Sequence, residues 1–387
     1  MLRNGLQISV FLLCLTSAAS AFAFEARVQI FPHIGAYSTP QGRENQIDAF
    51  SLDSSGICTL QASNGRVSRT AKRLFFTLTN QQYPVTVSCD APATLKRESR
   101  LSSFRYSGSF LIRSAVNSSG KHYLQVINLI GMEDYLRGVV PSEAESKWPM
   151  ETLKAQAVAA RTYAQFQILA VRSSNPNAVY DLEDTVQDQV YLGLSTATPE
   201  TDAAISSTRG ELITYQGKPI KAFFFADSGG HTEDAKQVWG DDIPYCRAKP
   251  EIYDLSLTPE TNWHSEFTFT ALSTKLIGAG LIPQGSLISS AFVSAADRND
   301  SGRATSVSLT LNHGKTVFVP GPAFRYALGI RSTLFELTTT ANRAILDGRG
   351  FGHGVGMSQL GAKVLASTLG WNYRQILAFY YTDVELN

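Results

Sequence analysis

Past its first two dozen residues the sequence has no long apolar run, and it has no basic run, internal repeat or low-complexity linker anywhere. The first absence leaves no candidate transmembrane anchor. Lys+Arg 34 against Asp+Glu 33 leaves a formal charge of +1, and without clustered cations a nucleic-acid partner is a poor expectation. Charged residues make up only 17% and hydrophobic ones 43%, a balance that excludes disorder and suits a folded chain of 387 residues. Cysteine is scarce, with Cys14, Cys58, Cys89 and Cys246 as the full set. No Gly-x-Ser-x-Gly elbow is present, and the glycine-dense run near the C-terminus lacks the Lys-Ser/Thr of a phosphate loop.

What is present begins with "MLRNGLQISVFLLCLTSAASAFA". A cation at Arg3, an apolar run from Ile8 to Leu15 and small residues ending at Ala23 read as a secretory signal peptide over 1–23. The remaining chain is therefore expected to be exported, to a periplasm or an extracellular space. Outside the cytoplasm a Cys58–Cys89 disulfide is plausible, with Cys246 unpaired; the alternative is three small buried hydrophobes.

Residues 24–103 alternate in short stretches such as "ARVQIF", "GICTLQA" and "YPVTVSC", the pattern of a small β-rich module of unknown role. The larger domain is expected over 104–387. It opens with a hairpin, "GSFLIRSAV" and "HYLQVINLI" around a glycine turn. From Pro149 to about Arg172 good helix formers dominate, and Leu153, Ala157, Ala160, Ala164 and Ile168 share one face. The expected fold is α+β, with mixed short strands around this central alanine-rich helix. Two more helices are expected near the C-terminus, Ser358–Ala366 and Tyr373–Phe379.

Several stretches invite chemistry. "ADSGGHTED" carries the residues around a trypsin-like nucleophile at Ser228, but the upstream histidines, His33 and His122, lack the context of a catalytic base. A glycine-rich bend is the better reading. In "GRGFGHGVG" the alternating glycines imply unusual torsions or close approach, and His353 either orients a substrate or caps the loop. A metal drawn from Asp227, His231, Glu233, Asp234 and Cys246 fits no standard zinc spacing, since a closed site wants four soft ligands and only His231 and Cys246 qualify. In "VVPSEAESKWP", Glu143 and Glu145 lie between an apolar strand, "LRGVV", and the long helix. They are either dipole partners of a helix N-terminus or a general acid/base at a cleft wall.

The ordered set "EDYLRGVVPSE", "WPMETLKAQAVAARTYA", "DQVYLG", "SGGHTED", "DRNDSGR", "FRYALGIRSTLFEL" and "GRGFGHGVGMSQLGA" resembles the SpoIID/LytB family of bacterial peptidoglycan proteins. The resemblance runs from about Phe104 to Val384. It implies a lytic transglycosylase acting on peptide-stripped glycan strands, or a non-catalytic enhancer of an N-acetylmuramoyl-L-alanine amidase. The glutamate of its Pro-Ser-Glu motif falls on Glu143 as acid/base, with Glu145 off the motif. Arg161, Tyr163, Gln189, Tyr191, His353, Ser358 and Gln359 would line the groove. No cofactor is implied, although some members bind zinc in the region of His231 and Cys246.

Overall fold

The computed structural model describes residues 25–30, 47–80, 82–96, 103–117, 120–253 and 255–387. The expected signal peptide with Cys14, and His33, lie outside the described residues.

Among the described residues nine strands form the largest sheet: β1 (Glu25–Ile30), β2 (Ala49–Ala62), β3 (Val67–Thr77), β4 (Val85–Cys89), β5 (Ala93–Lys96), β6 (Ser103–Tyr106), β7 (Ser109–Val116), β8 (His122–Gly131) and β9 (Leu182–Glu183). Their order is β6-β5-β2-β4-β7-β8-β1-β9, with β3 on β2. The expected hairpin is β7–β8, in register from Ser109↔Leu129 to Val116↔His122. Cys58 and Cys89 face each other across β2 and β4 and are joined in a disulfide.

Strands from both sides of the expected boundary at 103 share this sheet, so the β-rich stretch is not a separate body. β1 lies between β8 and β9, far in the strand order from β2. Its Ala26, Val28 and Ile30 are buried, and its Arg27 bonds the fully enclosed carboxylate of Asp181 beside β9. Apolar alternation in both stretches fills one core with Phe50, Leu52, Phe110, Ile112, Val126 and the helices that follow.

The first helix is a correction. "LRGVV" belongs to α1 (Met132–Glu143) and not to a strand. Met132, Tyr135, Leu136, Val139 and Val140 are buried at helical spacing, and Pro141 is confined to the last turn. The second helix, α2 (Met150–Ser174), matches its expected span. It is central because it serves two cores. Ala157, Ala160, Ala164 and Ile168 face the sheet, whereas Ala155, Val158 and Ala159 pack with Ile213, Ala362, Leu365 and Ile376. Alanine on both faces lets neighbours come close on either side.

After α3 (Pro199–Ser207) come β10 (Ile213–Tyr215), β11 (Lys218–Pro219), β12 (Phe224–Phe225) and α4 (Ala235–Trp239). A unit with its own core follows, built on Leu272, Leu309, Phe324 and Leu346. It comprises β13 (Asn262–Thr268), α5 (Phe269–Gly278), β14 (Ile288–Phe292), β15 (Ser306–Leu311), β16 (Thr316–Pro320), α6 (Gly321–Leu328), β17 (Phe335–Thr339) and β18 (Arg343–Arg349). The chain closes with β19 (Met357–Ser358), α7 (Gln359–Leu369), α8 (Tyr373–Tyr380) and β20 (Glu385–Leu386). Ser358 and Asn372 cap the two helices by accepting from the amides of Gly361 and Gln375. Mixed helix and sheet make this an α+β protein. No helix among the described residues is long and apolar enough to cross a membrane.

Candidate active site

Glu143 is the last residue of α1, half-buried, on the wall of a cleft of ≈410 Å³. Gln359, Leu360 and Lys363 of α7 and Phe351 from the glycine-dense loop line the same cleft. The chain turns sharply after α1, since Ala144 is extended, and this leaves the Glu143 side chain facing α7.

Two donors hold the carboxylate. The amide of Val190 donates to Oε1 at 3.0 Å and Nε2 of Gln359 to Oε2 at 3.3 Å. Val190 reaches α1 because position 138 has no side chain. A Cβ on Gly138 would lie 2.6 Å from the Tyr191 ring and 2.7 Å from the Gly193 carbonyl. Gln359 is itself steadied by Gln156 Oε1 of α2 at 3.4 Å.

Burial pushes the Glu143 carboxyl above its ordinary range, and the bonds from Val190 and Gln359 offset only part of that. No Lys or Arg among the described residues forms an ion pair with it. Its position reverses one of the two sequence readings. Glu143 is not a partner for the positive end of α2; it stands at the negative end of α1, where a charged carboxylate is disfavoured. Glu145 on the same cleft is exposed.

Two aromatic rings line the cleft, Trp148 and Phe351. The Lys363 ammonium lies 5.6 Å over the first and the Arg331 guanidinium 5.8 Å over the second. None of these four is singled out by the sequence; Trp148, Arg331 and Phe351 lie inside the family-like motifs, but nothing local marks which motif residues face outward. The glycine loop does adopt the expected torsions, with φ of +81° at Gly350 and +79° at Gly356. Its close approach is to its own chain. A Cβ would lie 2.9 Å from the Asp227 carbonyl at Gly350 and 2.1 Å from the Phe223 carbonyl at Gly356.

Among the residues expected along the groove, Gln359 is at the cleft; the others are turned inward. Arg161 is buried and grips Glu133 through Nε and Nη2 at 2.9 and 2.8 Å. Gln189 is enclosed between the Tyr135 hydroxyl and the Ala160 carbonyl. Tyr191 packs on Tyr106 and Tyr135 and donates to Asn128. Tyr163 is buried, its hydroxyl 3.4 Å from Asp188. Ser358 is spent as the cap of α7. In each case the side chain is engaged with an internal partner.

His353 lies in a separate pocket with Trp239, Arg303 and Arg325. Its Nδ1 accepts from the Val355 amide at 3.0 Å, and burial, then Arg325 and Arg303, pull its pKa down to about 3. It is a neutral loop cap. Ser228 is likewise structural, donating to Glu251 Oε1 at 2.8 Å.

Of the pair named for zinc, His231 engages the Thr232 carbonyl through Nδ1 at 2.7 Å, and burial pushes the Cys246 thiol up to about 12. Among the described residues no group of three or more His, Cys, Asp or Glu side chains is arranged to hold an ion.

The fold thus places one carboxyl of raised pKa between two helices, beside aromatic rings in an open cleft. The family follows from sequence comparison. Residues 120–215 match the profile of SpoIID, described as stage II sporulation protein. An uncharacterized protein of Brachyspira hyodysenteriae is 35% identical over 67% of this chain and 68% of its own length. Stage II sporulation protein D of Bacillus amyloliquefaciens is 32% identical over 67% of this chain and 74% of its own. An amidase enhancer of Bacillus subtilis is 30% identical over 65% of this chain but only 40% of its own length. The chain belongs to the SpoIID/LytB family.

Proposed function

We propose that this is an exported cell-wall enzyme, a lytic transglycosylase that cleaves peptide-stripped glycan strands of peptidoglycan with Glu143 as its acid/base. The observation that carries the reading is the state of Glu143, a carboxyl whose pKa is raised by burial and which yet lines an open cleft. A group of that kind holds a proton at a pH where exposed glutamates do not, and it can give the proton to a leaving oxygen.

The chemistry needs one carboxyl. Protonated Glu143 gives its proton to the glycosidic oxygen as the bond to C1 of the muramic acid breaks. The resulting carboxylate takes the proton from the C6 hydroxyl of the same sugar as that oxygen bonds to C1. The products are a free hydroxyl on one fragment and a 1,6-anhydro ring on the other, and Glu143 is protonated again. Because the substrate supplies its own nucleophile, the second carboxylate of ordinary glycosidases has no task. Val190 and Gln359 fix the two carboxyl oxygens during both transfers. Trp148 and Phe351 offer apolar faces for sugar C–H surfaces.

A second reading rests on the relative named an amidase enhancer, and makes the chain a non-catalytic partner of a cell-wall amidase. Purified protein incubated with peptide-free glycan strands, followed by mass analysis, separates the two. Fragments with anhydro ends support the transglycosylase, and intact strands support the enhancer. Fragments one water heavier, with reducing ends, mean that Glu143 activates water and that the intramolecular step is wrong.

A further inference from the structure

The start of α7 is braced from behind as well as from the cleft. Ser358 Oγ accepts from the amides of Ser228 at 3.2 Å and Gly361 at 3.1 Å. The Ser228 hydroxyl donates to Glu251 Oε1 at 2.8 Å and accepts from the Gly230 amide at 3.2 Å. The Tyr380 hydroxyl of α8 lies 3.1 Å from each Glu251 oxygen. There is no slack between these groups, since a Cβ on Gly361 would lie 2.1 Å from Tyr380 Oη and 2.7 Å from Glu251 Oε1. The residue after Ser358 is Gln359, the side-chain donor to Glu143.

We propose that Glu251 is a positioning residue, whose carboxylate acts through Ser228 and Ser358 to set Gln359 against Glu143 and makes glycan cleavage respond to pH near neutrality. The inference rests on the proposed catalytic role of Glu143.

The hydrogen-bond arithmetic supports it. An ionised Glu251 only accepts, and both of its side-chain neighbours are hydroxyls with a hydrogen to give. Protonation brings a third hydrogen to a site already holding two, so a hydroxyl must turn away and the brace on Ser358 changes. The groups facing the carboxyl are Asp227 from the glycine turn, Tyr380 from α8 and Tyr253 from its own segment, while α7 presents only Gly361 and Ser358. No Lys or Arg among the described residues pairs with it. Burial raises its pKa to about 7, with Asp227 adding to the rise and the two hydroxyls opposing it. Both forms are therefore populated where the enzyme would work.

The test uses the full chain and two variants, Glu251→Gln and Ser228→Ala. Hydrogen–deuterium exchange of a peptide spanning residues 357–363, corrected for intrinsic rates, needs no substrate. Its protection should rise severalfold as pH increases through about 7 in the parent protein and stay flat in both variants. Cleavage of peptide-free strands should follow the same curve in the parent. In Glu251→Gln, kcat should fall roughly tenfold with KM unchanged and the neutral limb should vanish. If Glu251→Gln does not fold, Ser228→Ala, which cuts the link and leaves the carboxyl, carries the same expectations. Strand cleavage with flat parent exchange, or variants whose profiles match the parent, would overturn the proposal. A parent that shows the exchange response but cleaves nothing sinks the role of Glu143 and leaves the brace standing.

Discussion

Two glutamates stand on either side of one helix start. Glu143 reaches the beginning of α7 from the cleft and Glu251 from the interior, and burial raises the pKa of both. Their partners differ. Glu143 is held by an amide and a carboxamide, groups that donate without taking the proton, and it borders ≈410 Å³ of open cleft. Glu251 is held by two hydroxyls that can donate or accept, and it does not line the cleft. A shifted pKa alone therefore does not mark a catalytic group. Access to substrate, and partners that fix the oxygens without competing for the proton, make the difference.

The largest effect that sharpens the contrast is Glu143→Gln. Cleavage of glycan strands should fall by about 10³-fold, in the range for loss of a general acid, while strand binding persists. The same change should hold or raise the melting temperature at neutral pH, because it removes a half-buried charge; a marked loss of stability would recast Glu143 as structural.

Arg161 tests the opposite side of the comparison, a motif residue turned inward. Arg161→Ala leaves Glu133 without its partner and should cost about 3 kcal/mol by denaturant unfolding. Strand affinity of the protein that remains folded should not change. Weakened binding at unchanged stability would return Arg161 to the groove.

Gln359→Leu removes a donor that lowers the Glu143 pKa, so the alkaline limb of activity should move to higher pH. A shift downward would mean that Gln359 favours the protonated form. For Glu251 the linkage has a definite sign. Its folded pKa of about 7 exceeds the ordinary 4.5, so its contribution to global stability is fully present below 4.5 and is lost as pH rises through 7; the exchange response concerns local opening with the carboxyl still buried, where the bonds from Ser228 and Tyr380 favour the ionised form. The loss should be about 3 kcal/mol and absent from Glu251→Gln. Smallest is the effect of His353, whose pKa near 3 keeps it neutral through the working range, so replacing it by Gln should leave the shape of the pH profile unchanged.

The elements most legible in the sequence were those whose pattern is local. Alanine periodicity gave α2 its span and its buried face, and alternating glycines announced the positive φ values of the loop. α1 was misread because Val139, Val140 and Pro141 together look like a strand end, although the buried positions repeat at helical spacing. That error also placed Glu143 at the wrong pole of a helix dipole. Motifs identified Arg161, Gln189 and Tyr191 as residues of consequence without saying which way they point. Direction depends on partners far along the chain, such as Glu133 for Arg161 and Asn128 for Tyr191. Glu251 had no local signal at all, since its bond to Tyr380 spans 129 residues.

The central claim is that Glu143 holds a proton it can give. Titration of the glutamate side-chain carboxyl carbons by NMR, with Glu143→Gln assigning the resonance, measures that directly in the absence of substrate. The account predicts a midpoint for Glu143 clearly above the ordinary 4.5. A midpoint at or below that value would contradict it.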